Sequence, residues 1–188
     1  MRTFLIVITL ALAASAGANL LSNGSFEQGT AGWDMGDYRR VLVAESKPPL
    51  VHGDWLAYCG GPVYYQSWPT PLPGEPYWGV LASQETFGVG AYRLSFVAAA
   101  YGTVPVPVWL SLGSYSYLTN IDPAWTRYEM EMTPRSAGGA LTFAVALDPG
   151  QAVFVDNFVI QLVPEMASVY VVMAGLVVLF GLKVRHKA

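Results

Sequence analysis

Between Asn19 and Leu162 the apolar residues fall in short runs rich in Val, Tyr, Phe and Trp, separated by clusters of Pro, Gly and polar residues. The runs are Arg40–Ala44, Trp55–Tyr58, Val63–Trp68, Ala91–Ala99, Val106–Leu112, Arg127–Thr133, Leu141–Leu147 and Ala152–Leu162. Tyr92-Arg-Leu-Ser-Phe96 and Tyr128-Glu-Met-Glu-Met132 alternate strictly, the period of a half-buried strand; Glu129 and Glu131 then share a wet face. The breaks at Asn23-Gly24, Lys47-Pro-Pro49, Gly60-Gly-Pro62, Pro71-Leu-Pro-Gly74, Gly102, Ser136-Ala-Gly-Gly139 and Pro149-Gly150 are turn chemistry. No useful amphipathic helical window precedes the chain's last segment. Evenly spaced strands without helices predict an all-β sandwich, as one domain over residues 19–163.

Both ends have a different pattern. Residues 1–18 open with Arg2, continue with the apolar run Phe4–Ala13 and finish in the small residues Ala14-Ser-Ala-Gly-Ala18. That is the layout of a secretory signal peptide, with Ala16-Gly17-Ala18 placing cleavage before Asn19. An uncleaved anchor helix is the alternative. At the other end Met166–Leu182 holds no charge, and at about 1.5 Å per residue a helix there spans roughly 25 Å, close to the bilayer core. A snorkelling Lys183 supplies the remainder. This predicts one transmembrane helix over 166–182, a buried soluble helix being the alternative. Lys183, Arg185 and Lys187 follow, so the positive-inside rule keeps the tail cytoplasmic and the sandwich outside. The expected location is export across the inner membrane, with a single-pass anchor.

Of the 188 residues 53% are hydrophobic and 12% charged, an excess concentrated at the two ends. Between Asn19 and Val163 twelve acidic residues stand against six basic ones, a net charge of −6. No basic stripe exists to displace counterions from phosphates, which argues against nucleic acid as partner. Cys59 is the only cysteine, so no internal disulfide can form and a buried thiol is expected. Catalysis has little support. His52 is the only histidine before the tail, and no Ser–His–Asp set, zinc spacing or phosphate loop accompanies it.

Val163-Pro164-Glu165, then the apolar stretch and the basic end, resembles the C-terminal sorting signal of the PEP-CTERM family of exported bacterial proteins. The resemblance implies recognition of Pro164 and Glu165 by an exosortase, which would remove the tail and release the domain to the cell surface or matrix. Met166 stands where that motif has its second proline. Within the domain, Asn19-Leu-Leu-Ser-Asn-Gly-Ser-Phe-Glu27 with Gly32-Trp33, the stretch His52–Gly61 with Tyr64-Tyr-Gln66, and Ala152-Val-Phe-Val-Asp-Asn-Phe-Val-Ile160 resemble strands of galactose-binding-like, carbohydrate-binding-module jelly rolls. That implies a jelly-roll β-sandwich from about Asn19 to Val163. Residues 69–90 match poorly and are expected to be an insertion. It also implies a structural Ca2+ between Glu27 and Asp156, with backbone carbonyls and water completing the shell. Without the ion, Glu27 caps a turn and Asp156 bonds backbone.

The aromatic density is the main functional clue. Sugars are gripped by exposed rings beside polar groups, so loop aromatics are the natural candidates. Trp68, Tyr77 and Trp78 in the Pro-rich segment fit best, followed by Tyr115 and Tyr117. Trp33, Trp55 and Trp125 are expected in the core. The expected function is a non-enzymatic envelope or matrix protein binding polysaccharide. A purely structural surface protein and an extracytoplasmic carbohydrate-active enzyme are the alternatives.

Overall fold

The computed structural model describes residues 18–36, 38–42, 48, 50, 51, 53–60 and 77–163. The signal-peptide stretch, the strand expected over Val63–Trp68 and the tail with Pro164 and Glu165 lie outside the described residues, as does His52.

The described residues form ten strands: β1 (Trp33–Asp34), β2 (Arg39–Leu42), β3 (Trp55–Gly60), β4 (Tyr77–Phe87), β5 (Ala91–Tyr101), β6 (Val106–Leu112), β7 (Tyr115–Ile121), β8 (Thr126–Met132), β9 (Gly139–Leu147) and β10 (Ala152–Val163). They form two five-stranded antiparallel sheets. The first has the order β1-β4-β9-β6-β7 and the second β2-β3-β10-β5-β8. The expected all-β sandwich is therefore present, and no helix interrupts the described domain.

Alternation explains the layering. In β6 the residues Val106, Val108, Leu110 and Leu112 are buried while Trp109 is exposed; in β9 Leu141, Phe143, Val145 and Leu147 are buried between half-buried neighbours. These rows face the buried Leu94, Phe96 and Ala98 of β5 and Val153, Val155, Phe158 and Ile160 of β10 in one core. Phe158 is its hub. Its ring lies 5.1 Å from Trp33, 5.3 Å from Phe96 and 5.8 Å from Phe143, mixing tilted, stacked and edge geometries. A bulge sets Phe158 there: the register with β5 shifts between Asp156 and Val159, and Asn157 takes a left-handed φ of 53°. Asn tolerates that conformation far better than a β-branched residue.

The segment that begins at Asn19 is fastened to the later part of β10. Asn19 Oδ1 accepts the Ile160 amide at 2.9 Å, its Nδ2 donates to the Phe158 carbonyl, and the Leu20 amide donates to Ile160 O. Gly24 is required by the same contact, because a Cβ there would stand 2.0 Å from Phe158 O. Cys59 is buried, as expected, and its Sγ fills the space above Gly79 of the opposite sheet, where a Cβ would come within 2.2 Å.

Two sequence expectations are corrected. Residues 77–87 are not part of an insertion but an eleven-residue strand pairing with both β1 and β9. Its period is broken by a bulge between Ala82 and Thr86, where Ser83 Oγ receives the Leu141 amide and donates to Glu85 O. Residues 115–121 form a strand, closed onto β6 by the two-residue turn Gly113-Ser114 with Gly113 at φ 58°.

Candidate functional site

Partners in an antiparallel ladder share a face, so the pairings map what the first sheet turns outward. One row runs Val80–Ala144–Trp109–Leu118 across β4, β9, β6 and β7. A second joins Trp78 to Ala146, and Pro107 to Asn120. A third runs Asp34–Ala82–Thr142–Ser111–Ser116. Trp78 is 54% exposed, Val80 40%, Trp109 37% and Leu118 56%. The two indole rings sit 5.3 Å apart at a 37° tilt. Their strands, β4 and β6, flank β9, whose Ala144 and Ala146 have no bulk to hold the rings apart. The outcome is an apolar strip about 14 Å long, three strand spacings of about 4.8 Å. Hydroxyls of Ser111, Ser116 and Thr142 lie to one side.

The outer face of the second sheet differs. Arg93 and Arg127 of β5 and β8 pair with Glu131 at 3.5 Å and Glu129 at 3.2 Å, all exposed. Farther along, Tyr58 and Phe154 rings stand 5.1 Å apart and Trp125 lies 6.2 Å from Phe154. Tyr128 lies at this sheet's edge. Its hydroxyl accepts the Asp122 amide at 2.8 Å and its ring stacks on Phe96. Burial holds its phenol above the ordinary 10.0, the hydrogen bond from the Asp122 backbone opposing that in part.

The residues singled out in the sequence divide as follows. Trp78 is exposed on the strip, on a strand and not in a loop. Tyr77 opens the same strand, and Trp68 lies outside the described residues. Tyr115 and Tyr117 were expected in a loop, but they lie on β7 opposite Leu112 and Leu110. They therefore share the inward face, the opposite side from Trp109. Trp33 is in the core as expected and Trp55 packs against it, whereas Trp125 is half-buried outside the core cluster, against Phe154. Trp109, Val80 and Leu118 were missed. For Trp109 the signal was present: in Val106-Pro-Val-Trp-Leu-Ser-Leu112 the tryptophan falls among the polar-side positions.

Glu27 lies before β1, and its Oε1 accepts the amides of Asp54 and Trp55, each at 2.8 Å. Gly53 makes room, since a Cβ there would stand 2.2 Å from the Glu27 carboxylate, and its φ is 72°. Asp156 is fully buried on β10, one residue beyond the pair Val155–Ala57. The register carries Asp156 past Ala57 toward Leu56, next to the Trp55 amide that Glu27 accepts. Among the described residues no three His, Cys, Asp or Glu side chains converge as a metal cluster.

The sandwich has the fold seen in several solved carbohydrate-binding modules. TmCBM61, solved in complex with β-1,4-galactotriose, superposes with a TM-score of 0.56 and 17% identity, over 78% of this chain and all of that one. The CBM22-1 xylan-binding domain from Paenibacillus barcinonensis Xyn10C does so with a TM-score of 0.54 and 18% identity, over 80% of this chain and 98% of that one. At such identities the likeness defines the fold. No family model and no curated protein matches the sequence.

Proposed function

We propose that this chain is an exported, non-enzymatic protein of the cell envelope or matrix that binds polysaccharide on the outer face of its first sheet. The observation that carries the reading is the exposed Trp78–Trp109 pair, two large rings held side by side on a rigid sheet where the core has no use for them. Flat rings present an apolar face to the C–H side of a sugar ring, and the neighbouring hydroxyls and Asn120 suit its O–H groups. The fold supports the same reading, since TmCBM61 was solved with a galactan trisaccharide and CBM22-1 is a xylan-binding domain. Glycosidic cleavage requires two carboxylates facing one bond, and the rows mapped on this face contribute only Asp34. Export and sorting through Pro164 and Glu165 by an exosortase, with residues 166–182 as membrane helix, complete the proposal from the sequence pattern.

A glycan array probed with the full-length chain tests the binding. Retention on at least one polysaccharide, weakened tenfold or more by Trp78→Ala and Trp109→Ala, is expected. No binding to any glycan, or binding indifferent to both substitutions, would overturn it. Intact-mass measurement of the native protein tests the tail: a C-terminus at Ala188 rules out its removal.

A further inference from the structure

The sheet that carries the tryptophans is almost free of charge. Strands β6, β7 and β9 contain no Asp, Glu, Lys or Arg, and the sheet's only ionisable acids are Asp34 and Glu85 on β1 and β4. Glu85 is turned away from the rows, since its Oε1 accepts from the backbone amide and hydroxyl of Ser22. The strand-borne bases, by contrast, are all in the second sheet: Arg39 and Arg40 on β2, Arg93 on β5, Arg127 on β8. Arg135 is the one further described base, exposed past β8, its amide donating to Ser114 at the β6–β7 turn.

We infer that the strip selects an uncharged polysaccharide and rejects anionic ones such as uronate or sulfated chains. The inference rests on the polysaccharide-binding reading above and specifies its ligand. Recognition of a carboxylate or sulfate calls for a guanidinium or ammonium at hydrogen-bonding distance, and no row of this face supplies one. The domain's net charge of −6 adds long-range repulsion of a polyanion. Uncharged chains meet neither obstacle. Their contacts are ring faces over Val80, Trp109 and Leu118, with hydroxyls toward Ser111, Ser116, Thr142 and Asn120. The row Val80–Ala144–Trp109–Leu118 crosses four strands, so the chain lies transverse to them and spans more than one sugar ring. An apolar strip of this kind also suits a second copy of the protein, and the test separates the two.

The measurement is affinity electrophoresis of the full-length chain through gels holding a neutral galactan, a neutral xylan, polygalacturonate or a sulfated galactan, at low and high salt. Retardation by a neutral polymer, unchanged by salt and reduced at least tenfold in apparent affinity by Leu118→Ser and by Trp109→Ala, is expected. Both anionic polymers should leave mobility unchanged. Retardation by an anionic polymer that salt abolishes would overturn the selectivity while leaving polysaccharide binding intact. Retardation by none of the four, with sedimentation showing a dimer that Trp109→Ala dissociates, would overturn both.

Discussion

The two sheets bury equivalent stripes of Leu, Val, Ile and Phe, yet they turn different surfaces away from each other. The second sheet's outer side is solvated and charged at one end, where Arg93 and Arg127 pair with Glu131 and Glu129 in the open, and carries the half-buried Tyr58, Phe154 and Trp125 farther along. The first sheet leaves Trp78, Val80, Trp109 and Leu118 uncovered beside small and hydroxylic residues. A contiguous exposed apolar patch on a sheet marks a surface that meets something. The two faces are alike in backbone, so the difference lies in which side chains fill the alternate positions. Folding is therefore carried by the inward rows, and the binding proposed above would fall to the outward row of one sheet.

That division can be broken in order of effect. Phe158→Ala removes the hub shared by both sheets and should cost about 3–5 kcal/mol in denaturant unfolding. Trp109→Ala, on the outward row, should change stability by only about 0.5 kcal/mol or less. Similar losses from the two would show that the outward tryptophans belong to the core after all. Next, Glu27→Ala leaves the amides of Asp54 and Trp55 without their acceptor and should cost about 1–3 kcal/mol. A calcium ion held with Asp156 would add to this, so EDTA should lower the wild-type melting temperature and leave the variant unchanged. Equal melting with and without EDTA in both proteins would remove the ion and keep the cap. The smallest effect concerns Tyr128. Its folded phenol keeps a proton that the unfolded chain gives up near 10.0, so stability is full below that pH and declines as pH rises above it. Unfolding midpoints between pH 9 and 11 should fall less steeply for Tyr128→Phe; identical slopes would contradict the shift.

Much of the frame was legible in the sequence because its strands alternate cleanly. Ala91–Ala99, Val106–Leu112 and Ala152–Leu162 match β5, β6 and β10 to within two residues at each end. The misses have physical causes. In β4, Gly79 and the bulge after Ala82 break the period, and the prolines before it resemble a loop. In β7 the outward positions Ser116 and Asn120 are polar and the edge leaves Tyr117 partly exposed, so strand composition was diluted, although Gly113-Ser114 is a readable hairpin turn. The site was half legible. Trp78 stood out by its neighbours. Its pairing with Trp109 depends on strand order β4-β9-β6, which no local pattern encodes.

The fastening of Asn19 to Ile160 has a directional consequence. The segment that opens the domain and the strand that closes it meet at one end of the sandwich, where Val163 pairs with Ala91 just past the β4–β5 turn. Trp78 is at the opposite end of β4, nine residues from Phe87 and, at about 3.3 Å per residue, roughly 30 Å away. A leash attached beyond Val163 would thus hold the domain by its heel, with Trp78 near the far end and the indole face turned to the side.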